Sequence, residues 1–300
     1  MNKPRRAPRR RVDGVLLLDK PAGMSSNAAL QKVRWLFNAE KAGHTGTLDP
    51  MATGLLPLCF GEATKFSSTL LDADKSYEAT VRLGIVTDTA DAEGTVIETH
   101  PVTATEACVR GVLLRFLGEI EQVPPMYSAL KRDGKPLYEL ARQGIEVERT
   151  PRKVTIHSLE MTGWRGDRFD LRVVCSKGTY IRTLAADIGV ALGCGAHLSA
   201  LRRTAVAALD VVQAVTLETV ETLPVDQRDS LLQPADALLA GLPAVQLNEQ
   251  EAGQMLHGQP IRWSGEPFCQ RRLVGPQGFI GLGECGMDGW LKPKRLIAAH

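Results

Sequence analysis

No run of the roughly 20 apolar residues that a membrane helix needs occurs anywhere in the 300-residue chain. The early stretch VLLL, residues 15–18, is also too short for the apolar centre of a secretory signal. With 44% apolar and 23% charged residues, the chain therefore reads as a soluble, cytoplasmic globular protein. Cys59, Cys108, Cys175, Cys194, Cys269 and Cys285 form no C-x-x-C pair and no tight His/Cys cluster, which argues for reduced thiols and against zinc. G-x-x-x-x-G-K-S/T, H-E-x-x-H and G-x-S-x-G are all missing, so ATP binding, zinc proteolysis and serine hydrolysis lose their usual signatures. GLGECG at 281–286 matches G-x-G-x-x-G in form, yet only 14 residues follow it, too few for a dinucleotide fold. Its glycines read as turns of a small β unit.

The charge that is present is unevenly placed. Lys3, Arg5, Arg6, Arg9, Arg10 and Arg11 put six of the 36 basic residues into the first 11 positions, which hold no acid. Residues 1–12 thus read as a disordered basic tail, suited either to nonspecific phosphate contact or to solubility alone. The length favours one large domain and a smaller one, divided here as 13–244 and 245–300, the second built of short strands between Gly/Pro turns. GVLLLDKP at 14–21 reads as a buried strand, and Ser25 or Ser26 caps a helix that carries Leu30, Val33, Leu36 and Phe37 on one face. KSYEATVRLG at 75–84 and FDLRVVC at 169–175 alternate as strands. Thr103 and Glu106 spell a capping box before a helix, and another helix starts near Thr179 with Tyr180 and Arg182 in its first turn. Residues 124–153 hold four prolines, two glycines and seven basic against four acidic residues, a basic excursion from the core.

GHTGTLDPMATG, residues 43–54, is the densest irregular stretch. Gly43 and Gly46 allow a close approach that a Cβ would block. Pro50 biases Asp49 away from helical backbone and offers no amide hydrogen to its carboxylate. Asp49 can therefore project from the turn, although Asp-Pro also serves as an ordinary turn-starting pair. Arg182 could supply the cation that keeps such a carboxylate ionised, and Tyr77 and Tyr180 could supply flat surfaces for a base.

KAGHTGTLDPMATGLLP, KSYEATVRLG, PPMYSALKRDGKPLYELARQG and SKGTYIRTLAADIG, in this order and spacing, resemble the bacterial TruB family of tRNA pseudouridine synthases over residues 13–205. The resemblance implies a pseudouridine synthase fold of α/β (α+β) class. It would have a mixed, mostly antiparallel sheet, 124–153 as an RNA-binding insertion, and a PUA-like C-terminal domain. The resemblance also implies that Asp49 is the essential aspartate, that Tyr77 stacks on the target base and that Arg182 pairs with Asp49. Tyr180 and Leu201 would line the pocket, and His44 would meet the flipped nucleotide. Lys20, in a block resembling the family's KPxG-T-S, joins Lys131, Arg132, Lys135 and Arg142 as implied RNA contacts. Ser25 stands where that block commonly has Thr.

The implied activity converts uridine-55 in the T loop of tRNA to pseudouridine, by a monomer and without metal or cofactor. The N1–C1′ bond of the flipped uridine breaks and a C5–C1′ bond forms. Attack by Asp49 on the base, attack on the sugar, and a glycal intermediate all stay open. The alternative is a tRNA-folding helper that works by binding and opening the tRNA elbow.

Overall fold

The computed structural model describes residues 8–128, 130–132 and 134–298, the side chains of Lys131 and Arg132 excepted. Lys3, Arg5 and Arg6 of the expected tail lie outside the described residues. From Arg10 onward the chain is anchored, which shortens that tail. Arg10 donates to both carboxylate oxygens of Asp229, at 2.7 and 2.5 Å, and its backbone bridges Asn38 and Glu40. Val12 is buried.

β1 (Gly14–Lys20), helix α1 (Ser26–Leu36), β2 (Ala42–His44) and β3 (Thr53–Phe60) open the chain. β1 and β3 are buried along nearly their whole length, which is why GVLLLDK and TGLLPLCF are near-continuous apolar runs. Ser25 caps α1 by accepting from the Ala28 N–H, so Ser26 is free for another task described below. Helix α2 (Ser67–Leu71) leads to β4 (Lys75–Leu83), where Tyr77, Ala79, Val81 and Leu83 face the core in strict alternation.

The hairpin β5 (Ile85–Thr87) and β6 (Val96–Thr99) precedes α3 (Glu106–Leu113). Thr105, not Thr103, caps α3, because Thr105 is the last extended residue and its hydroxyl reaches the Cys108 N–H. β7 (Gly118–Gln122) then gives way to the insertion, with β8 (Lys131–Arg132), β9 (Lys135–Pro136) and α4 (Leu137–Arg142), before the long β10 (Arg152–Trp164). β7 and β10 pair antiparallel with Gln122 opposite Arg152, so the insertion departs from and returns to adjacent points of the ladder. β11 (Arg168–Cys175), α5 (Ile181–Ala191), β12 (Ala196–Val206), β13 (Leu209–Asp210), β14 (Val215–Thr216) and α6 (Leu217–Thr222) complete the large domain.

Ten strands form one mixed sheet in the order β14-β1-β3-β12-β4-β11-β10-β7, with β2 on β3 and β13 on β12. Within it β1/β14 and β3/β12 are the parallel pairs. The apolar sides of α1, α3 and α5 close over one sheet face, so that Val33, Val109 and Leu184 share one buried cluster with Val81, Leu171 and Val173. A second cluster joins Leu17 and Leu55 to Phe66 and Leu239.

The C-terminal unit is a five-stranded sheet built from β15 (Ala244–Gln246), β16 (Ile261–Arg262), β17 (Gln270–Gly275), β18 (Gly278–Cys285) and β19 (Trp290–Leu296), with helix α7 (Glu249–Leu256) beside it. Gly281 and Gly283 lie inside β18 rather than in turns. A Cβ on Gly281 would stand 2.3 Å from the Arg295 carbonyl oxygen, so close strand packing is what requires that glycine. Phe279 packs edge-on against Phe66 at 5.3 Å, and Lys65 Nζ donates to the Leu296 carbonyl at 3.0 Å, docking this unit on the large one.

Candidate active site

The loop between β2 and β3 is held from both sides. Ser26 Oγ is buried and brackets Leu48, accepting from its N–H at 2.7 Å and donating to its carbonyl at 3.0 Å. Just beyond Asp49, the Pro50 carbonyl accepts from the Gly23 N–H at 2.8 Å and from Lys20 Nζ at 3.3 Å. Lys20 also donates to the Pro21 and Met24 carbonyls, each at 2.7 Å, and is fully buried. It cannot touch RNA as expected. Its ammonium serves as a knot for backbone carbonyls, and burial lowers its pKa to about 8 against the pull of Asp49 and Glu93.

Arg182, in the first turn of α5, reaches that loop. Its Nε lies 2.9 Å from Asp49 Oδ2 and its Nη2 3.2 Å from Oδ1, a two-point fork on the carboxylate. The same guanidinium donates to the Thr89 carbonyl at 3.1 Å and to the Tyr127 carbonyl at 2.6 Å, and its Nε stands 3.5 Å from Asp91 Oδ2. Three chain segments, the Asp49 loop, the Thr89–Asp91 turn and Tyr127, thus meet on one buried cation. Asp49 keeps 33% of its side-chain surface open, whereas Arg182 and Asp91 keep 4% and 5%. Burial raises the Asp49 pKa above the ordinary carboxylate value. Arg182 opposes this without overcoming it, and Asp91 adds to the rise. Desolvation is thus the largest influence on Asp49, and Arg182 acts against it, in the direction that favours the ionised carboxylate.

Asp49, Tyr77, Tyr180, Arg182 and Leu201 line one cavity of about 250 Å³. Gln122, at the end of β7, clamps Tyr180 by accepting from its N–H at 3.0 Å and donating to its carbonyl at 3.3 Å. Tyr77 and Arg203 are cross-strand partners on β4 and β12. Arg203 is 2% exposed, donates to the Leu55 carbonyl at 2.8 Å and to the Gly46 carbonyl at 3.2 Å, and shares the cavity wall. Burial raises the Tyr77 phenol and lowers the Arg203 guanidinium, each opposed by the other.

His44 is half-buried on β2 and is not among the cavity's lining residues; burial and then Arg203 lower its pKa. Lys135 and Arg142 are exposed on the insertion, and the Arg142 guanidinium sits 5.6 Å from the Tyr138 ring centre. The side chains of Lys131 and Arg132 lie outside the described residues.

Sequence reasoning missed Asp91 and Arg203. Arg203 carried a readable signal, because it is two residues from Leu201 on a strand, and a cation in phase with a core leucine marks a buried charge. Asp91 sits in an acid-rich turn and carried none. Among the described residues no group of three or more His, Cys, Asp or Glu side chains could hold a metal ion, and no helix is long and apolar enough to cross a membrane.

Among solved structures, one chain of a Cbf5-Nop10-Gar1 complex superposes with a TM-score of 0.71 at 26% identity, covering 96% of this chain and 84% of that one. An H/ACA RNP bound to a substrate RNA containing 2′-deoxyuridine gives a TM-score of 0.72 at 23% identity, covering 95% and 85%. The mixed sheet with its small C-terminal β unit has the pseudouridine synthase fold.

Residues 34–181 match the N-terminal domain of the TruB family pseudouridylate synthases. Residues 182–240 match the tRNA pseudouridylate synthase B C-terminal domain, and 243–297 match the C-terminal region of pseudouridine synthase II TruB. The tRNA pseudouridine synthase B of Azoarcus sp. (strain BH72) is 62% identical over 296 residues, covering 99% of this chain and 98% of that one. The enzyme of the same name from Chromobacterium violaceum is 57% identical over 304 residues, with 99% and 98% covered. The chain belongs to the TruB family.

Proposed function

We propose that this protein isomerises uridine-55 in the T loop of tRNA to pseudouridine. The observation that carries the reading is the forked Asp49–Arg182 contact opening on a cavity that Tyr77, Tyr180 and Leu201 also line. A uridine stacked in folded RNA cannot reach Asp49, so the nucleotide is everted, at an unstacking cost of a few kcal/mol. Contacts outside the cavity offset that cost, and the exposed cations Lys135 and Arg142 of the insertion suit the phosphates of the T stem. His44, at the loop edge, meets the flipped stretch, and Tyr77 and Tyr180 flank the base.

Asp49 supplies the carboxylate on which N1–C1′ cleavage depends. The freed uracil turns, C5 bonds to C1′, and the C5 hydrogen leaves to solvent while N1 gains a proton. Arg182 holds the carboxylate in place and stabilises its charge. The test is tritium release from tRNA labelled at uridine C5. Wild type should release tritium and Asp49→Asn should not; normal release by Asp49→Asn removes the aspartate from the mechanism.

A further inference from the structure

Two buried hydroxyls in the cavity are unused. Thr45 is 1% exposed and Ser128 4% exposed, and both line the space that Asp49 opens on. Among the described residues neither Thr45 Oγ1 nor Ser128 Oγ has a hydrogen-bond partner, and the only other buried side-chain atom in that state is Arg149 Nε. Folded proteins rarely leave such atoms orphaned, and two in one cavity mark a place kept for a ligand.

The two hydroxyls come from different parts of the chain, each on a fixed backbone. Thr45 lies four residues before Asp49, and its N–H donates to the Pro57 carbonyl at 3.3 Å. Ser128 lies at the root of the insertion, where its N–H donates to the Met126 carbonyl at 2.9 Å and its carbonyl accepts from the Tyr138 N–H at 3.1 Å. Next to it, the Tyr127 carbonyl is tied to Arg182. Ser128 Oγ stands beside the Tyr180 hydroxyl without a hydrogen bond of ordinary geometry.

Tyr77, Tyr180, Ile181 and Leu201 give the cavity flat and apolar walls suited to the faces of a pyrimidine. The edge of that pyrimidine carries O2, N3–H and O4, all of which lose water on entry and need protein partners. A hydroxyl can donate or accept, so it suits this mixed edge, whereas a phosphate would call for donors or cations at both points.

We propose that the Thr45 and Ser128 hydroxyls are specificity-determining contacts to the edge of the everted uracil, so that the insertion contributes a residue to the base pocket. The proposal rests on the uridine isomerisation argued above. Its test uses a T-arm RNA hairpin with uridine at the target position and a second hairpin lacking the base there, against wild type, Thr45→Val, Ser128→Ala and Thr45→Ser. A wild type that leaves uridine unconverted defeats the proposed activity itself; the binding comparison needs no turnover, so the two failures are read separately.

Thr45→Val and Ser128→Ala should keep or raise the melting temperature, since each removes an orphaned hydroxyl. Each should weaken binding of the uridine hairpin about three- to thirtyfold, with binding of the base-less hairpin unchanged. Thr45→Ser, which keeps the hydroxyl, should bind like wild type. Equal weakening on the base-less hairpin, no weakening by either variant, or a fall in melting temperature overturns the proposal.

Discussion

Replacing Arg182 by methionine isolates the cation on which the Asp49 loop, the Thr89–Asp91 turn and the Tyr127 carbonyl converge. Methionine fills much of the same volume but leaves two carboxylates and two carbonyls without their shared donor. Removing one partner of a buried ion pair costs about 3–5 kcal/mol, and the open third of Asp49 argues for the lower end. If that cost falls on the competent arrangement of Asp49, turnover drops about a hundredfold, at about 1.4 kcal/mol per factor of ten. RNA affinity should stay within about threefold, because the guanidinium faces carboxylates and carbonyls rather than the surface.

The pH profile gives a second readout. Asp49 already titrates above the ordinary carboxylate value, and loss of Arg182 raises it further. Since the proposed reaction needs the carboxylate, the acid side of the rate profile should move to higher pH. Stability has the matching sign: between the ordinary and the raised value the unfolded chain gives up its proton first, so the folded state weakens as pH rises there. Single-turnover tritium release across pH 5 to 9, with filter binding alongside, measures both. Turnover within about threefold of wild type at neutral pH, or an unmoved acid limb, refutes the reasoning.

Asp91→Asn removes a charge that raises Asp49 but keeps an oxygen for the Thr89 hydroxyl and the Glu93 N–H. Its acid limb should move to lower pH, and a shift the other way contradicts the assigned cause. Gly54→Ala would put a methyl 2.2 Å from the Arg203 carbonyl oxygen at a φ of +99°, so chemical denaturation should show a loss of about 2–4 kcal/mol. An unchanged midpoint would mean that β3 and β12 yield more readily than their register implies. Lys20→Met should lower the thermal midpoint and leave the salt dependence of RNA binding unchanged; a slope shallower by about one would return Lys20 to the RNA surface.

The elements that local pattern dictates were legible: the alternation of Tyr77, Ala79, Val81 and Leu83 along β4, and the apolar face of α5. Legibility ended where position depends on register between distant strands. Arg203 meets Tyr77 because β12 inserts between β3 and β4, a juxtaposition that no window of neighbouring residues encodes. Lys20 carries an implied RNA contact only through the family block around it, and its true role is unreadable because a nest of carbonyls from Pro21, Met24 and Pro50 has no side-chain signature. Thr103 and Thr105 both precede α3, and only the backbone conformation at Thr105 decides which one caps it.

The pairing of Gln122 with Arg152 has an architectural consequence. Because the chain leaves the sheet and rejoins it at facing rungs, everything between them can lengthen, shorten or be exchanged without shifting a single strand. The insertion is in effect an interchangeable arm on a fixed chassis. What cannot be exchanged is its shoulder: Tyr127 and Ser128 belong to the arm in sequence but to the Arg182 cavity in space. A graft that tests the arm's proposed grip on RNA would therefore need to begin beyond Ser128, leaving those two residues with the chassis.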